Sequence, residues 1–341
     1  MGKNNRLNNL WSKHLKPFLK DPLFLSRWVS EYSRRPENRT TKWVNWGYRT
    51  SLDRDEYSGA TFMFLEDIHL KIMPYRNSGY RATLLNADPG LERIIAAAIA
   101  DYDYQHDLSE GVEDFIRSAT QTMFHHTEVF YEVECEKDAD GKVIKINLHH
   151  IYSPSMKKVF GQYFQIITWK AAKHAQIKAG IWKVPKEKIL HIRPPRELGG
   201  RRGVKRLLRR LVSLNKITPN FYMKAMEKNE NVGFDLDLYV KERYLETAIV
   251  TKRFGWNQRD FRDNNILEYY SMHRLLTETN ALATIRKCIL NELNLALKTK
   301  MNIENEIQIE NLPTEESVKT EKLRLEKGDL EFVSVVERTR Y

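Results

Sequence analysis

A cluster of six cationic side chains is the feature of this 341-residue chain best suited to binding chemistry. Arg or Lys occupies six of the ten positions from 201 to 210, with no acidic residue among them: Arg201, Arg202, Lys205, Arg206, Arg209 and Arg210. A surface with this density of positive charge suits a polyanionic ligand such as nucleic acid. Contacts between these side chains and phosphates would not distinguish one base sequence from another. Because charge-rich faces are commonly just solvated, a subunit contact or a plain surface is the alternative interpretation.

The flanking residues indicate how this cluster is positioned. The apolar run Ile189 to Ile192 predicts a strand, a Pro-Pro pair ends it, and a glycine loop at 199–203 leads into a helix. At about 100° per residue, Lys205, Arg206, Arg209 and Arg210 fall on one arc of that helix. The opposite arc carries Val204, Leu207, Leu208, Leu211 and Leu214. The helix is therefore predicted to pack on one side and to present positive charge on the other.

Composition bounds the class of protein. A length of 341 residues is enough for one large or two to three smaller domains, and a hydrophobic content of 41% is enough for a core. A net charge of +11 favours nucleic acid or an anionic surface as a partner. No apolar run approaches the roughly 18 residues of a membrane span, and the N-terminus does not resemble a secretory signal. Cys135 and Cys288 have no metal spacing and are expected to be buried thiols in a reducing compartment.

Periodicity predicts an α+β fold. Asp107 to Glu110 has the spacing of a capping box and opens a helix over about 108–125. Alternation over 129–135 and 143–150, around an Asp-Gly turn, predicts a β-hairpin. Further strands are predicted at 159–169, 181–184 and 306–310, and helices at 273–298 and 315–327. Pro219 is expected to kink or end the basic helix, and 229–265 has mixed character.

The sequence lacks two common patterns of catalytic and nucleotide-binding sites. There is no phosphate-binding Gly-x-x-x-x-Gly-Lys-[Ser/Thr] and no Gly-x-Ser-x-Gly elbow, so the chain is predicted not to be an enzyme. The acidic cluster Asp101, Asp103, His106 and Asp107 could bind a divalent cation, but a solvated helix cap is preferred.

Other polar groups also favour non-catalytic roles. The adjacent pairs His125-His126 and His149-His150 would point to opposite strand faces, so each pair offers a metal at most one ligand. Glu128, Glu132 and Glu134 share one side of a strand and are expected to be an exposed face. No cofactor and no metal are predicted.

In combination these segments resemble the portal proteins of tailed bacteriophages. The resemblance covers about 108–312. It rests on Phe130-Tyr-Glu-Val133 with Asp140-Gly-Lys-Val143, on Lys186-Glu-Lys-Ile-Leu-His-Ile192, on Gly203-Val-Lys-Arg-Leu207 and on Ile289-Leu-Asn-Glu-Leu-Asn294. One departure is His126-Thr-Glu128, since the family often has a glycine just before the aromatic strand. The chain is also short for a portal, so a C-terminal crown should be absent or minimal.

The resemblance implies an architecture. It would comprise a basic aromatic N-terminal segment over 1–60 and an α/β wing-like region over 61–203. A helical stem and small clip would follow over 204–300, with long helices lining a channel, and a C-terminal strand and helix over 301–341. The long helix at 273–298 and the basic helix are the candidates for lying along the channel, and 229–265 would project outward.

The resemblance also implies a function. Portal proteins form a homo-oligomeric ring, typically dodecameric, at one capsid vertex, and double-stranded DNA passes through it during packaging and ejection. Expected partners are the major capsid protein, the terminase large subunit and head–tail connector proteins, with no membrane. The expected location is the virion, and the host cytoplasm before assembly. Family membership would make the six cations diffuse DNA contacts.

Two other functions stay open at this stage. One is a monomeric or dimeric nucleic-acid enzyme that uses the acidic cluster at 101–107 as a metal site and the basic helix to grip its substrate. The other is a non-enzymatic DNA- or RNA-binding module. The mass of the purified particle separates the portal from both, and metal-dependent nuclease activity separates these two from each other.

Overall fold

The computed structural model describes residues 59–74, 79–86, 88–100, 107–168, 172, 179–214, 222, 235–256, 268–331 and 335. Its α-helices are α1 (Gly59–Lys71), α2 (Pro89–Ile99), α3 (Leu108–His126), α4 (Gly200–Ser213), α5 (Leu236–Thr251), α6 (Glu268–Met301) and α7 (Glu315–Glu326). Its strands are β1 (Arg81–Leu84), β2 (Val129–Lys137), β3 (Val143–Ile151), β4 (Met156–Val159), β5 (Gln162–Ile167), β6 (Gly180–Val184), β7 (Ile189–Ile192) and β8 (Ile307–Glu310). Helices and small sheets are mixed along the chain, so the fold class is α+β, as predicted.

The strands form three small sheets. Their orders are β1-β8, β3-β2-β7 and β4-β5-β6. In the first sheet Arg81 pairs with Glu310 and Leu84 with Ile307, in antiparallel register. The predicted hairpin is confirmed as β2 and β3. At its turn the Asp138 carboxylate accepts hydrogen bonds from the backbone amides of Asp140 and Lys142, and Gly141 takes a φ of 80°.

The chain divides into two compact units. The small unit contains 130–132 and 149–189, and the large unit contains 51–129, 133–148 and 190–341. The small unit has its own apolar core, formed by Phe130, Ile151, Met156, Tyr163, Val184 and Ile189. The domain limits expected from the sequence remain predictions.

The large unit is built around α6 and an aromatic cluster. Ile285, Ile289 and Leu293 of α6 are fully buried. The Phe64 ring meets the rings of Phe124, Phe254 and Trp256 edge to face, at centroid distances of 6.1, 5.3 and 5.3 Å. The Trp256 indole also donates to the Asp67 carboxylate at 2.7 Å. This bond satisfies the indole and the buried acid together.

A partly buried guanidinium joins α1 to α3. Arg117 of α3 donates to the carbonyl oxygens of His69 and Met73, both at 2.8 Å, where α1 ends and the chain turns. It also pairs with Glu113, one turn earlier, at 2.9 Å. The final carbonyls of a helix have no partner within the helix, so a planar fork of donors at this place satisfies several of them.

Most predicted elements agree with the structure in type and place. Asp107 caps α3 through a 2.8 Å bond from the Glu110 amide, as the capping-box spacing suggested. The long helix is longer than expected, since α6 spans 268–301 and not 273–298. Within 235–256 the region taken as mixed holds the regular helix α5. Pro219 and nearly all of the N-terminal segment lie outside the described residues.

Two strand interpretations were wrong. The strand predicted at 159–169 is broken after Val159 by a turn in which Phe160 and Gly161 have φ of 49° and 80°. This turn lets β4 and β5 pair with each other in antiparallel register. His125 and His126 are not on a strand but end α3.

Both cysteines are partly buried free thiols, whereas the sequence predicted buried ones. Burial, together with the nearby charges of Glu292 and Glu197, raises the pKa of Cys288 to about 11.

Histidine burial should make the large unit sensitive to mild acid. Burial, together with the charge of Arg117, lowers the pKa of His69, and burial with His69 lowers the pKa of His125. The unfolded chain then binds these protons first, so stability should fall as the pH drops below the ordinary value of 6.5. We expect the denaturant midpoint of His69→Gln to fall less than that of the wild-type chain between pH 7.5 and 5.5. Equal losses would contradict this linkage.

Within the described part of the chain, no helix is long and apolar enough to cross a membrane.

Candidate nucleic-acid interface

The basic helix α4 begins at a turn that requires glycine. After β7, the amides of Gly199 and Gly200 bond back to the carbonyls of Arg196 and Pro195, each at 2.9 Å. Gly199 has a φ of 98°, and a Cβ added there would lie 2.8 Å from the Arg253 guanidinium and 3.0 Å from the Gly203 backbone. This close packing fixes where α4 starts and therefore which way its faces point.

The apolar arc of α4 is buried, as predicted. Val204, Leu208 and Leu211 are fully buried, and the other two members are at most 7% exposed: Leu207 and Leu214. A stripe of this width holds the helix against the large unit by the hydrophobic effect. The opposite arc is therefore held rigidly toward solvent.

The six cations are not equivalent in their surroundings. Arg202, Arg206 and Arg209 are exposed, whereas Lys205 is partly covered. Burial lowers the pKa of Lys205, and the nearby charges of Arg209 and Arg201 lower it further. Like charges crowd this arc, and a bound anion would relieve their mutual repulsion.

Glu128 counters the first of the cations. Its carboxylate lies 3.1 Å from the Arg201 guanidinium, 3.6 Å from that of Arg193, and 3.4 Å from Nε2 of His191. Only 13% of its side chain is exposed. The expectation that Glu128 belongs to an exposed acidic face was therefore wrong. The local pattern suggested a surface, but β7 and α4 bring three basic groups around it.

A left-handed residue positions Glu128. Thr127 ends α3 with a φ of 63°, and its amide bonds to the Met123 carbonyl at 2.8 Å. The chain reverses at this residue before β2 begins. Glycine adopts this conformation without cost, whereas it is uncommon for threonine.

The ion pairs that Glu128 makes with Arg201, Arg193 and His191 should stabilise the start of α4. Burial alone would raise the pKa of Glu128, but the hydrogen bond with His191 and the charges of Arg201 and Arg193 outweigh it and lower the pKa. Its contribution is thus present at neutral pH and is lost as the pH falls through the lowered pKa. We expect Glu128→Gln to reduce the free energy of unfolding by about 1–3 kcal/mol at pH 7.

The matched control for this prediction is Glu132→Gln, a part-exposed acid four residues along the chain. It should change stability by less than about 0.5 kcal/mol. Urea denaturation at pH 7 and again at acid pH measures both variants. An undiminished difference between Glu128→Gln and the wild-type chain in acid would contradict the proposed ionic origin.

Glu246 counters the last of the cations. Its carboxylate on α5 lies 2.7 Å from the Arg210 guanidinium. Among the described residues, no ion pair engages Arg202, Lys205, Arg206 or Arg209. Sequence reasoning did not find either counter-ion, because both acids come from other elements. In the described part of the chain, the middle four of the six cations therefore have no ion-pair partner.

The remaining chemical candidates do not assemble into a second site in the described residues. No group of three or more His, Cys, Asp or Glu side chains there could hold a metal ion. Asp101, Asp103 and His106 lie outside the described residues, and Asp107 serves as a helix cap. What the geometry provides is a rigid cationic surface that can contact phosphates without recognising bases.

Solved structures similar to this chain include two from the necks of GTA particles. No protein-family model matches the chain, and no curated protein matches it. A chain from the neck of a native GTA particle, computed with C12 symmetry, is similar with a TM-score of 0.47 and 10% identity, over 86% of this chain and 96% of that one. A chain from the neck of an empty GTA particle, computed with C6 symmetry, has a TM-score of 0.47 and 11% identity, over 89% and 94%. Similarities of this size indicate nothing about activity or partners.

Proposed function

We propose that this chain is a phage portal protein, which forms a ring at one capsid vertex and lets double-stranded DNA pass. The observation that carries the proposal is the middle of the α4 arc. Arg202, Arg206 and Arg209 are exposed and have no ion-pair partner among the described residues. They stand on a helix whose opposite side is fully packed. The sequence resemblance over 108–312 supports the same function independently.

The chemistry of the arc suits the passage of DNA better than its tight binding. Exposed guanidinium groups contact phosphates through screened, salt-sensitive attraction that is the same for every sequence. A ring repeats the arc around its axis, so a duplex would always meet several weak contacts and no strong one. A conduit needs this property, because it must hold DNA without stopping it.

The remaining partners follow from the portal assignment. The ring would be a homo-oligomer, typically a dodecamer, seated in the major capsid protein lattice of the virion. The terminase large subunit would dock on it during packaging, and head–tail connector proteins would replace it later. In this scheme the chain hydrolyses no ATP, since the terminase supplies the motor.

The mass of the purified full-length protein tests the proposal. Light scattering across protein and salt concentrations should give one large species of fixed subunit number, as expected for a closed ring built from heterologous contacts. Only monomer or dimer under every condition would overturn it.

The same preparation tests the enzymatic alternative. We expect no DNA cleavage with added magnesium or manganese. Cleavage that disappears in an Asp101→Ala or Asp103→Ala variant would favour the nuclease instead.

A further inference from the structure

A strained and exposed aromatic ring marks the small unit. Phe160 forms the turn between β4 and β5 with a φ of 49°, and 66% of the residue is exposed. The left-handed region is costly for a bulky side chain, and asparagine or glycine is preferred at such hairpin turns. Most of the phenylalanine is also left in water, so a partner that covers it would bury apolar surface that is exposed in the isolated chain.

An apolar hollow adjoins this turn. Its lining includes Gly161 and Gln162 of the turn and β5, and residues 183–187. Lys183 and Lys186 bracket Val184 and Pro185, and both lysines are exposed. Glu187 is the one acid among the described residues of this lining. The hollow together with Phe160 is called here the lysine-rimmed hollow. It fits an apolar side chain that is flanked by carboxylates.

The large unit presents a segment of that kind. Asp235, Leu236 and Asp237 stand at the start of α5, and all three are exposed. Leu236 is 62% exposed, and Val240, one turn later on the same side, is 55% exposed. Two carboxylates thus flank a largely exposed leucine, in a chain whose net charge is +11. This segment is called here the acidic leucine segment.

We propose that the acidic leucine segment of one copy docks in the lysine-rimmed hollow of the next. Leu236 would enter the hollow beside Phe160, and Asp235 and Asp237 would approach Lys183 and Lys186. The partner is a second copy of this chain, because the two surfaces match in charge and in apolar character and both stay exposed within one chain. Joining one surface to a different one makes the contact heterologous, and such contacts close into rings. The inference rests on the proposed portal function and names one of its subunit contacts.

Cross-linking tests the contact directly. The full-length Gln162→Cys/Val240→Cys double variant keeps Phe160 and Leu236 and places one cysteine beside each. Treated with a short bismaleimide, it should give a ladder of covalent oligomers. Each single variant alone should give no ladder beyond that of the wild-type chain, which retains Cys135 and Cys288. Mixing the two single variants should give a covalent dimer and no longer products. Absence of the ladder from the double variant would overturn the proposal.

Phe160→Asn separates assembly from folding. Asparagine tolerates the left-handed turn, so this variant should melt at a higher temperature than the wild-type chain. Its assembly should nevertheless require at least about thirtyfold more protein, as for loss of an aromatic anchor. Unchanged assembly would contradict the contact, and a lower melting temperature would contradict the argument from strain.

Charge exchange supplies the rescue experiment. Lys183→Glu with Lys186→Glu should prevent assembly, and adding Asp237→Lys to that chain should restore part of it. Asp237 is chosen because Asp235 also caps α5 by accepting from the Leu238 amide. No restoration would count against the charge pairing.

The failures of the two proposals are distinguishable. Wild-type rings together with no ladder in the double variant would remove this contact and leave the portal assignment. A ladder from particles that are not closed rings would keep the contact and remove the portal assignment.

Discussion

Replacing Lys205 and Arg209 together by glutamine should weaken DNA association about tenfold to a hundredfold at 0.1 M salt. If each side chain contacts one phosphate, the slope of log affinity against log salt should fall by about 0.9 per contact, or about 1.8 per engaged subunit. The loss should be equal for unrelated duplex sequences, because no base is read. The fold should survive, since the buried arc that starts at Val204 is untouched. Fluorescence anisotropy over a salt series measures both quantities.

The matched control is Arg210→Gln. Arg210 is already paired with Glu246 at 2.7 Å, so its charge contributes less to the field of the arc. We expect a smaller change in affinity and in salt slope than for the double variant. Intact rings whose salt dependence is the same in both variants would indicate that the arc is an ordinary solvated face. If the double variant formed few rings, and those rings bound DNA normally, the arc would be a contact between subunits.

Arg117→Met should reduce the free energy of unfolding by about 3–5 kcal/mol. The substitution keeps the bulk of the side chain but removes the donors to His69 and Met73. It also leaves the buried Glu113 carboxylate with only the Tyr80 hydroxyl among the partners described for it. An unpaired buried charge and unsatisfied carbonyls are among the most costly defects a single substitution can cause.

Two comparisons isolate the cause of that loss. Arg117→Lys keeps the charge and loses the planar fork, so it should lie between the wild-type chain and Arg117→Met. Arg324→Met removes an exposed arginine that pairs with Glu321 three residues before it, and should cost less than about 1 kcal/mol. Denaturant unfolding compares all four proteins. Equal stability of Arg117→Met and Arg324→Met would contradict the capping role.

Elements with a strong local signal were predictable from the sequence. The amphipathic pattern of α4, the Asp138 turn and the Asp107 cap each depend on residues close together in the chain. Helix α1 and strand β1 were not predicted. The pairing of β1 with β8 joins residues more than 220 positions apart, and four-residue strands carry little signal of their own. Helix α5 was not predicted because its apolar residues are not confined to one face, as the exposed side chains of Leu236 and Ile249 show.

The candidate site was predictable in part for the same reason. The cations and the apolar arc lie within one helix, so their arrangement follows from 3.6 residues per turn. The counter-ions come from elsewhere, since Glu128 precedes β2 and Glu246 lies on α5. No local pattern distinguishes an exposed glutamate from one that three basic groups will surround. The left-handed conformation of Thr127 beside Glu128 was no hint either, because threonine rarely adopts it and only the structure shows it.

DNA threading tests the central claim, that this chain forms a ring through which duplex DNA passes. Linear duplex would be incubated with the purified full-length protein, its two ends would then be blocked with bulky protein caps, and the salt concentration would be raised until electrostatic contacts are lost. A ring predicts that the capped duplex stays associated with the protein in high salt, and that cutting the duplex near one cap releases it. Complete release of the capped duplex by salt alone, from a protein that binds the same duplex at low salt, would contradict the account.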